Sequence, residues 1–490
     1  MMTAKKKNLD ANLEEIFKEY IAIKDEDYKK SQDIFKIVFD MVKVKMGEKC
    51  NYFKKYSSQV MIAGSVDDGI KVSKLDEFDM DIVIRLPINH ANDGEKGIIM
   101  EYDQPGFVKL KIIDSFDHLD KQPEWEKCHV VTKEWRDAKK YFLQNKFRSW
   151  LHGIVQKALN DMNRKVTVNG VSYLLSYKES GPAYTLNIKN DKDQEQFYLD
   201  VDLVPVIRFS LPRWPSGYRC TGDSNQVKDW YVVPKPNKSL QDDTQKSRCW
   251  RLSFQAFEKD MMKNRQQLKK TIRYNLQVKK LRDSQDMKAI ASYYIKTLFL
   301  WKISKNDDKY WQAKLSLLFH TMVKELYDAV EKKCIPFFWH KDHNLIEGLK
   351  PSLQKIYLGK LDAVLKSIEA TDVDSVVDAL LTPSELKKFK SSEFYQNQKV
   401  KDVTDNAKPS STVLCKQTSI SNDDKTKLIN SLISKVDRLT TTVFDLQDRV
   451  KRLEMCRDMT QTNRIDDSGD NSIICSLSSS ENSELSLIEF

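Results

Sequence analysis

The sequence predicts a two-lobed mixed α/β fold, with a sheet-containing N-terminal lobe over residues 1–249 and a helical C-terminal lobe over residues 250–392. Up to about residue 249, short runs rich in β-branched and aromatic residues alternate with helical patterns. After Trp250, helical periodicity continues alone, and beyond about residue 395 the composition becomes polar. We therefore expect a linker (393–423), a coiled coil (424–456) and a disordered, acidic, serine-rich tail (457–490) after the two lobes.

The first predicted element is a long amphipathic helix over residues 28–47. Apolar residues recur there at helical spacing, and the outer face is rich in lysine. A second helix is expected over about 138–163. The apolar positions of the first helix are Ile34, Ile37, Val38, Met41 and Val42, and the strand-like segments are QVMIAGS, FDMDIVIRL, FVKLKII, VSYLLSYK, AYTLNIK and FYLDVDLVPVIRFS.

The segment 424–456 carries apolar residues in alternating steps of three and four. This heptad pattern, with Lys and Arg around it, favours a short coiled coil and self-association. The alternative is a single amphipathic helix that docks on the core of its own chain. The apolar positions are Ile429, Leu432, Val436, Leu439, Val443, Leu446, Val450 and Leu453.

Composition narrows the class of protein. The net charge is +10, and because seven acids but only two basic residues follow Cys456, the preceding residues carry +15, which favours a polyanionic partner. No run of about 18 apolar residues exists, so we expect no membrane span. The start lacks an apolar signal-peptide core and the eight cysteines form no C-x-x-C pair, so we expect a reducing, cytoplasmic location.

Two acidic strands are the strongest chemical signal. Side chains at i, i+2 and i+4 of a strand share a face, so Glu77, Asp79 and Asp81 point one way. Asp200 and Asp202 alternate similarly in YLDVDLVPVI. Such acids either lie on a solvated edge strand or face divalent cations and a phosphorylated substrate. The Gly64-Ser65 pair before the first acidic strand suits close approach of the backbone to phosphate.

A set of short motifs, in order along the chain, is similar to the cyclic GMP-AMP synthase-like receptors of the nucleotidyltransferase superfamily. The resemblance spans about residues 10–392 and implies a bilobal nucleotidyltransferase fold with a mixed sheet in the N-terminal lobe. The motifs are A-G-S (63–65), E-F-D (77–79), V-D-L-V-P-V (201–206), R-W-P (213–215), Y-V-V-P-K (231–235), W-R-L-S-F-Q-A-F-E (250–258), K-K-L-R-D (279–283) and S-Y-Y-I-K-T (292–297).

The resemblance implies a role for each matching residue. Glu77 and Asp79 would ligate two Mg²⁺ (or Mn²⁺) ions, and Asp202 would be the third ligand and help deprotonate the attacking ribose hydroxyl. Asp81 and Asp200 match no ligand position, so we expect them to be supporting or solvated. The implied nucleotide-binding residues are Ser65 at the donor triphosphate, Arg251 and Ser253 at the acceptor base, Glu258 closing that segment, Lys279 (or Lys280) near the donor phosphates, Tyr293 stacked on a base, and Ser292 and Lys296 beside the triphosphate.

The sequence departs from the vertebrate founder of this family in one region. Residues 255–285 contain no His and no Cys, so a zinc-binding insertion is not expected there. Cys334, His340 and His343 lack a fourth ligand and conventional spacing, and we expect no zinc at them either. These departures resemble the insect-type members, which sense double-stranded RNA rather than DNA.

Basic residues on two predicted helices are the candidates for RNA contact. A face with spaced Lys and Arg can grip A-form RNA by shape, whereas most lysine clusters are simply solvated. The residues are Lys29 and Lys30 on the first helix and Lys259, Lys263, Arg265, Lys269, Lys270 and Arg273 after the WRLSF segment.

Together these observations predict an enzyme that makes cyclic GMP-AMP from ATP and GTP on binding double-stranded RNA, in antiviral defence. One alternative is a 2′-5′ oligoadenylate-type synthetase, which the WRLSF and SYYIKT segments disfavour. Another is a catalytically silent nucleic-acid-binding scaffold of the same fold, which the intact acids Glu77, Asp79 and Asp202 disfavour.

Overall fold

The structure is a computed structural model that describes residues 8–398, apart from residues 73, 89–96, 103, 114–115, 118, 122, 124–129, 181–182, 192–196, 221–226 and 283–286. The strands are β1 (Ser57–Ala63), β2 (Glu77–Ile84), β3 (Ile99–Glu101), β4 (Phe107–Lys111), β5 (Lys165–Val168), β6 (Val171–Ser180), β7 (Ala183–Asn190), β8 (Tyr198–Ser210), β9 (Asp229–Val233), β10 (Cys249–Ser253), β11 (Pro336–Phe337) and β12 (His340–Asn344). The α-helices are α1 (Leu9–Ile16), α2 (Asp25–Lys49), α3 (Asn51–Tyr56), α4 (Gly64–Asp67), α5 (Val130–Lys133), α6 (Gln144–Asp161), α7 (Asp243–Arg248), α8 (Gln255–Met261), α9 (Leu268–Arg282), α10 (Ser292–Ile303), α11 (Leu315–Glu331), α12 (Pro351–Glu369), α13 (Val373–Asp378) and α14 (Pro383–Ser391).

The predicted mixed sheet is confirmed, and β8 is its organising strand. The strands run in the order β3-β4-β10-β9-β8-β7-β6-β5, while β2 pairs with β8 in parallel and β1 with β2 in antiparallel fashion. The thirteen residues of β8 are long enough to pair with β7 and β2 in their first half and with β9 in their second. The β2–β8 pairing is what brings the two acidic strands together.

The predicted first helix forms as α2, but its buried face is rotated relative to the prediction. Phe35 and Phe39 are buried beside Val38, whereas Ile37 and Met41 are 37% and 43% exposed. The larger aromatic side chains thus occupy the buried face, and Phe35 stacks on Phe78 of β2 at 4.9 Å between ring centres. The α2 helix therefore packs directly behind an acidic strand.

The region after Trp250 is not helical throughout, so that part of the prediction is wrong. Residues 249–253 form β10, which lies between β4 and β9 in the sheet. Trp250 and Leu252 are buried while Arg251 and Ser253 are partly exposed, but this alternation is short and α8 begins directly after it at Gln255. The ring of Trp250 stacks on Phe142 at 4.9 Å, and its indole N–H donates to the Phe142 carbonyl at 2.9 Å. The helix α6 begins at Gln144, not 138, because Tyr141 and Phe142 form β-bridges with Lys111 and Arg136.

The helical part ends later than expected. Tyr395, placed by the sequence in the linker, is 2% exposed and donates its hydroxyl hydrogen bond to Asp374. The rest of the linker, the coiled coil (424–456) and the tail (457–490) lie outside the described residues, so their order and self-association stay predictions. None of the helices in the described part of the chain has the length and apolar character that crossing a membrane requires.

Candidate active site

The parallel register of β2 and β8 sets the geometry of the acids. Asp79 is paired with Asp202 and Glu77 with Asp200. Carboxylate oxygens of Glu77, Asp79 and Asp202 all lie within 4.8 Å of one another, and this is the group of His, Cys, Asp and Glu side chains in the described residues that is close enough to share a metal ion. The second of the two interpretations left open by the sequence, acids that face a cation, is the one this geometry favours.

The three carboxylates repel one another. Burial, followed by the charges of Glu77 and Asp202, raises the pKa of Asp79 from 3.8 to about 6. Burial also raises the pKa of Asp202, although its hydrogen bond from the Thr185 hydroxyl works in the opposite direction. Within the chain, Lys71 supplies partial compensation, because its Nζ lies 3.3 Å from Oε2 of Glu77. Negative charge of this density is expected to attract cations.

The donor set identifies which cation fits. Three carboxylates and no His or Cys make an oxygen-only set, which suits Mg²⁺ or Mn²⁺ rather than Zn²⁺. Ions held by these carboxylates would supply the charge stabilisation that two-metal phosphoryl-transfer sites provide. Glu77, Asp79 and Asp202 are thus the residues that would hold divalent ions here.

A glycine holds the loop against these acids. Gly64 has a φ of +67°, and a Cβ at this position would collide with the carboxylate of Asp79. The prediction that strand β1 continues to Ser65 is therefore wrong, because the chain turns at Gly64 and Ser65 lies in α4. This turn brings Ser65 to the rim of the acidic site.

All the predicted metal- and nucleotide-binding residues line a single cavity of about 1000 Å³, which is at the upper end of the range of about 300–1000 Å³ for small-molecule sites. Their individual roles stay predictions. The cavity is formed by the Gly64 turn, the acidic strands, β10 and the start of α10. The predicted residues that line it are Ser65, Glu77, Asp79, Asp202, Arg251, Ser253, Glu258, Lys279, Ser292, Tyr293 and Lys296.

Lys296 lies at the base of this cavity in a buried network. Its Nζ is 2.6 Å from Asp68 and 2.8 Å from Glu258, and Lys296 is only 5% exposed. Burial opposes the charge of Lys296, but Glu258 and Asp68 outweigh it and raise its pKa. Tyr293 donates its hydroxyl hydrogen bond to Glu258 at 2.7 Å, and the Trp339 indole donates at 2.8 Å. In this arrangement Lys296 forms ion pairs with two carboxylates. To lie beside a triphosphate, as the sequence predicts, it would have to exchange a carboxylate partner for a phosphate.

Several lining residues carry charge but received no role from the sequence. Lys235 and Lys238 face the acids from the loop after β9. Burial, then the neighbouring Arg251 and Lys238, lowers the pKa of Lys235. The YVVPK motif drew attention to position 235 without indicating its contacts. Asp81, which the sequence analysis expected to be supporting or solvated, is buried and hydrogen-bonded to Gln255, for which the sequence indicated no role.

The basic residues proposed for RNA contact differ in how far their side chains are exposed to solvent. Lys29 and Lys263 are exposed and Lys270 is partly exposed, and Lys263 pairs with Asp260 at 2.9 Å and Lys270 with Glu14 at 2.7 Å. Arg273, by contrast, is turned inward and donates to the Gly69 carbonyl at 2.9 Å. Of the other proposed residues, Lys30 is exposed, Lys269 lies against Gly69, Lys259 pairs with Asp67 at 2.6 Å and Arg265 with Asp308 at 2.9 Å.

The raised pKa of Asp79 predicts that metal binding depends on pH. Mn²⁺ requires the ionised carboxylates, so its affinity should rise with pH up to about 6 and level off above it. Without metal, the folded state binds more protons than the unfolded state between about pH 4 and pH 6, so stability due to Asp79 falls as pH rises through that window. Calorimetric titration of Mn²⁺ from pH 5 to 8, and unfolding curves of wild type against Asp79→Asn, check both. Affinity that is constant across this range would contradict the assignment of Asp79.

Comparison with known proteins identifies a family to which the chain is similar. Residues 67–264 match the Mab-21 protein nucleotidyltransferase domain, and residues 262–363 match the Mab-21 protein HhH/H2TH-like domain. A cyclic GMP-AMP synthase-like receptor of Aethina tumida is 32% identical over 77% of this chain and 92% of its own. Similar relatives of the same name occur in Ctenocephalides felis, 32% identical over 78% and 90%, and in Tribolium castaneum, 30% identical over 77% and 93%.

Proposed function

The chain belongs to the cyclic GMP-AMP synthase-like receptors of the Mab-21 nucleotidyltransferase family, and we propose that it makes cyclic GMP-AMP from ATP and GTP on binding double-stranded RNA. The observation that supports the proposal is the shared cavity, which the acidic triad, the Gly64 turn and β10 line together. The product would act as a second messenger in antiviral innate immunity.

The proposed reaction is two successive transfers. In each, a ribose hydroxyl oxygen attacks an α-phosphorus in line, the bond to the leaving pyrophosphate breaks, and the hydroxyl proton passes to Asp202. When bound, divalent ions at the triad would lower the charge on the phosphate oxygens. The residues of the chain supply the rest: Ser65 holds the donor phosphates, the β10 wall holds the acceptor base, and the basic lining offsets triphosphate charge.

RNA binding would be coupled to the site through the segment Asp67–Gly69. This segment is tied to the helices by Lys259 to Asp67, Lys296 to Asp68 and Arg273 to the Gly69 carbonyl. Because α9 bears both Arg273 and Lys270, a polyanion on α9 can bias this segment if it favours one arrangement over the other. A variant that includes Arg273 would change the loop as well as the RNA-binding face, so the face should be tested without it.

The surface lysines give a separate prediction. Lys29→Glu, Lys263→Glu and Lys270→Glu together should weaken RNA binding at least about tenfold and reduce its salt dependence, because phosphate contacts release counterions. The fold should persist, since Lys29 and Lys263 are exposed and Lys270 is partly exposed in an ion pair with Glu14. Fluorescence anisotropy at several salt concentrations measures both effects. The control variant carries the same change at three exposed lysines elsewhere, Lys350→Glu, Lys355→Glu and Lys387→Glu. An equal loss of RNA affinity in both variants would contradict the proposed RNA-binding face.

The direct test of function is product identification. Purified protein is incubated with ATP, GTP and Mg²⁺ or Mn²⁺, with no polymer, with double-stranded RNA or with double-stranded DNA, and the products are identified by mass spectrometry. We expect cyclic GMP-AMP to form in the reaction with double-stranded RNA, and not in the reactions with double-stranded DNA or without polymer. Linear oligoadenylates would indicate the synthetase alternative, and a product with DNA only would reject the proposed activator.

A further inference from the structure

Asp81 is the acidic residue of β2 that has no role in the proposed metal site. It is 6% exposed, lies two positions beyond Asp79 on the same strand face, and is not among the residues close enough to share a metal ion. It lines the cavity, and its strand partners Met61 and Val204 pack against a small apolar cluster formed by Val83, Val206 and Tyr231. A buried carboxylate in such surroundings is costly unless a hydrogen bond satisfies it.

Gln255 provides that hydrogen bond. Its side-chain Nε2 donates to Oδ2 of Asp81 at 2.7 Å. Gln255 is half-buried, begins α8 and lines the same cavity as Arg251 and Ser253 of β10. These two β10 residues are spaced by two and so share the strand face that looks into the cavity.

The hydrogen bond decides which half of the Gln255 amide remains for a ligand. An amide carries its NH₂ donors and its carbonyl acceptor on opposite sides of one carbon. Because Nε2 donates to Asp81, the NH₂ half of the amide is engaged and the Oε1 acceptor is left for the cavity. Arg251, which lies beside Gln255 in the wall, has donors only.

We infer that Asp81 is a positioning residue for base selection: it orients the Gln255 amide so that its carbonyl oxygen accepts hydrogen bonds from the guanine of GTP. Guanine offers adjacent ring and exocyclic N–H donors, together with the O6 and N7 acceptors that an arginine recognises. Adenine offers one exocyclic amine and places an acceptor where guanine has its ring N–H. This inference rests on the proposed function for the identity of the nucleotides.

The test compares Asp81→Asn with Gln255→Met. An asparagine at position 81 can donate as well as accept, so the Gln255 amide is free to turn and guanine preference should fall about tenfold, the scale of one or two base contacts. In Gln255→Met, the same fall should occur, and adding Asp81→Asn should have no further effect on preference, because Asp81 acts through Gln255. Thermal unfolding establishes that each variant folds.

Two readouts separate this inference from the proposed function. The first is the ratio of the dissociation constants for GTP and ATP, measured by calorimetry in an Asp202→Asn background that blocks turnover. The second is the ratio of KM for GTP to KM for ATP in the active enzyme. If no product forms in wild type, the proposed function fails but the binding ratio still decides the role of Asp81. If Asp81→Asn changes rate or affinity equally for both nucleotides, or the two changes are additive in the double variant, the inference is overturned.

Discussion

Asp79→Asn and Asp202→Asn, made singly, should each lower nucleotidyl transfer by about a thousandfold or more, the scale of several kcal/mol of lost charge stabilisation. Each should also raise the thermal stability of the metal-free protein. The reason is the same in both cases: three carboxylates within 4.8 Å repel one another, and asparagine removes one of the charges while keeping the shape. A substitution that lowers activity but raises stability indicates that the original residue serves function rather than folding.

Pyrophosphate release and calorimetric unfolding without metal measure the two effects. Asp229→Asn is the matched control, since Asp229 is also a strand aspartate, on β9, but is not among the residues lining the cavity. It should leave activity unchanged within about twofold. A triad variant that keeps wild-type turnover, or that is less stable than wild type without metal, would contradict the account of the acids.

Lys296→Met should destabilise the protein by about 3–5 kcal/mol, because it leaves Asp68 and Glu258 as buried charges without their cation. Lys296 and Glu258 are 5% and 3% exposed, so water cannot compensate. Glu258 retains hydrogen bonds from Tyr293 and Trp339, but hydrogen bonds alone do not balance the charge.

Neutralising the whole network should restore much of this loss. In the triple variant Lys296→Met, Asp68→Asn and Glu258→Gln, no unpaired charge is buried. Denaturant unfolding gives the free energies, and Lys324→Met provides the control, since its ion pair with Asp328 at 2.7 Å is exposed and should contribute less than about 1 kcal/mol. A Lys296→Met protein as stable as the control variant would show that the network is not needed for the fold.

The acidic strands could be predicted because the information for them is local. Alternation with a period of two placed Glu77 and Asp79 on one face, and the tertiary pairing of β2 with β8 then brought Asp202 opposite Asp79. Sequence spacing cannot supply the register of that pairing. The motif resemblance indicated only that the two acidic segments belong to one site.

Contacts between distant segments explain what the sequence did not reveal. The Lys296 network joins residues 68, 258 and 296, and no periodic pattern connects them. Likewise, Arg273 is one of several basic residues in α9, and only the folded structure distinguishes its inward contact with Gly69 from the surface positions of its neighbours. Strand β10 was missed because it is short and the helix α8 follows it directly, so its alternation of buried and partly exposed residues covers too few positions to be recognised.

The central claim is that Glu77, Asp79 and Asp202 act on nucleoside triphosphates, and its most direct test is pyrophosphate release by full-length protein. Wild type and Asp79→Asn are each given ATP, GTP and Mn²⁺, with and without double-stranded RNA, and a binding assay with the same RNA is run in parallel. The account predicts RNA-dependent pyrophosphate release by wild type and none by Asp79→Asn, with equal RNA binding by both. A folded wild-type protein that binds RNA but releases no pyrophosphate would contradict it and support the scaffold interpretation.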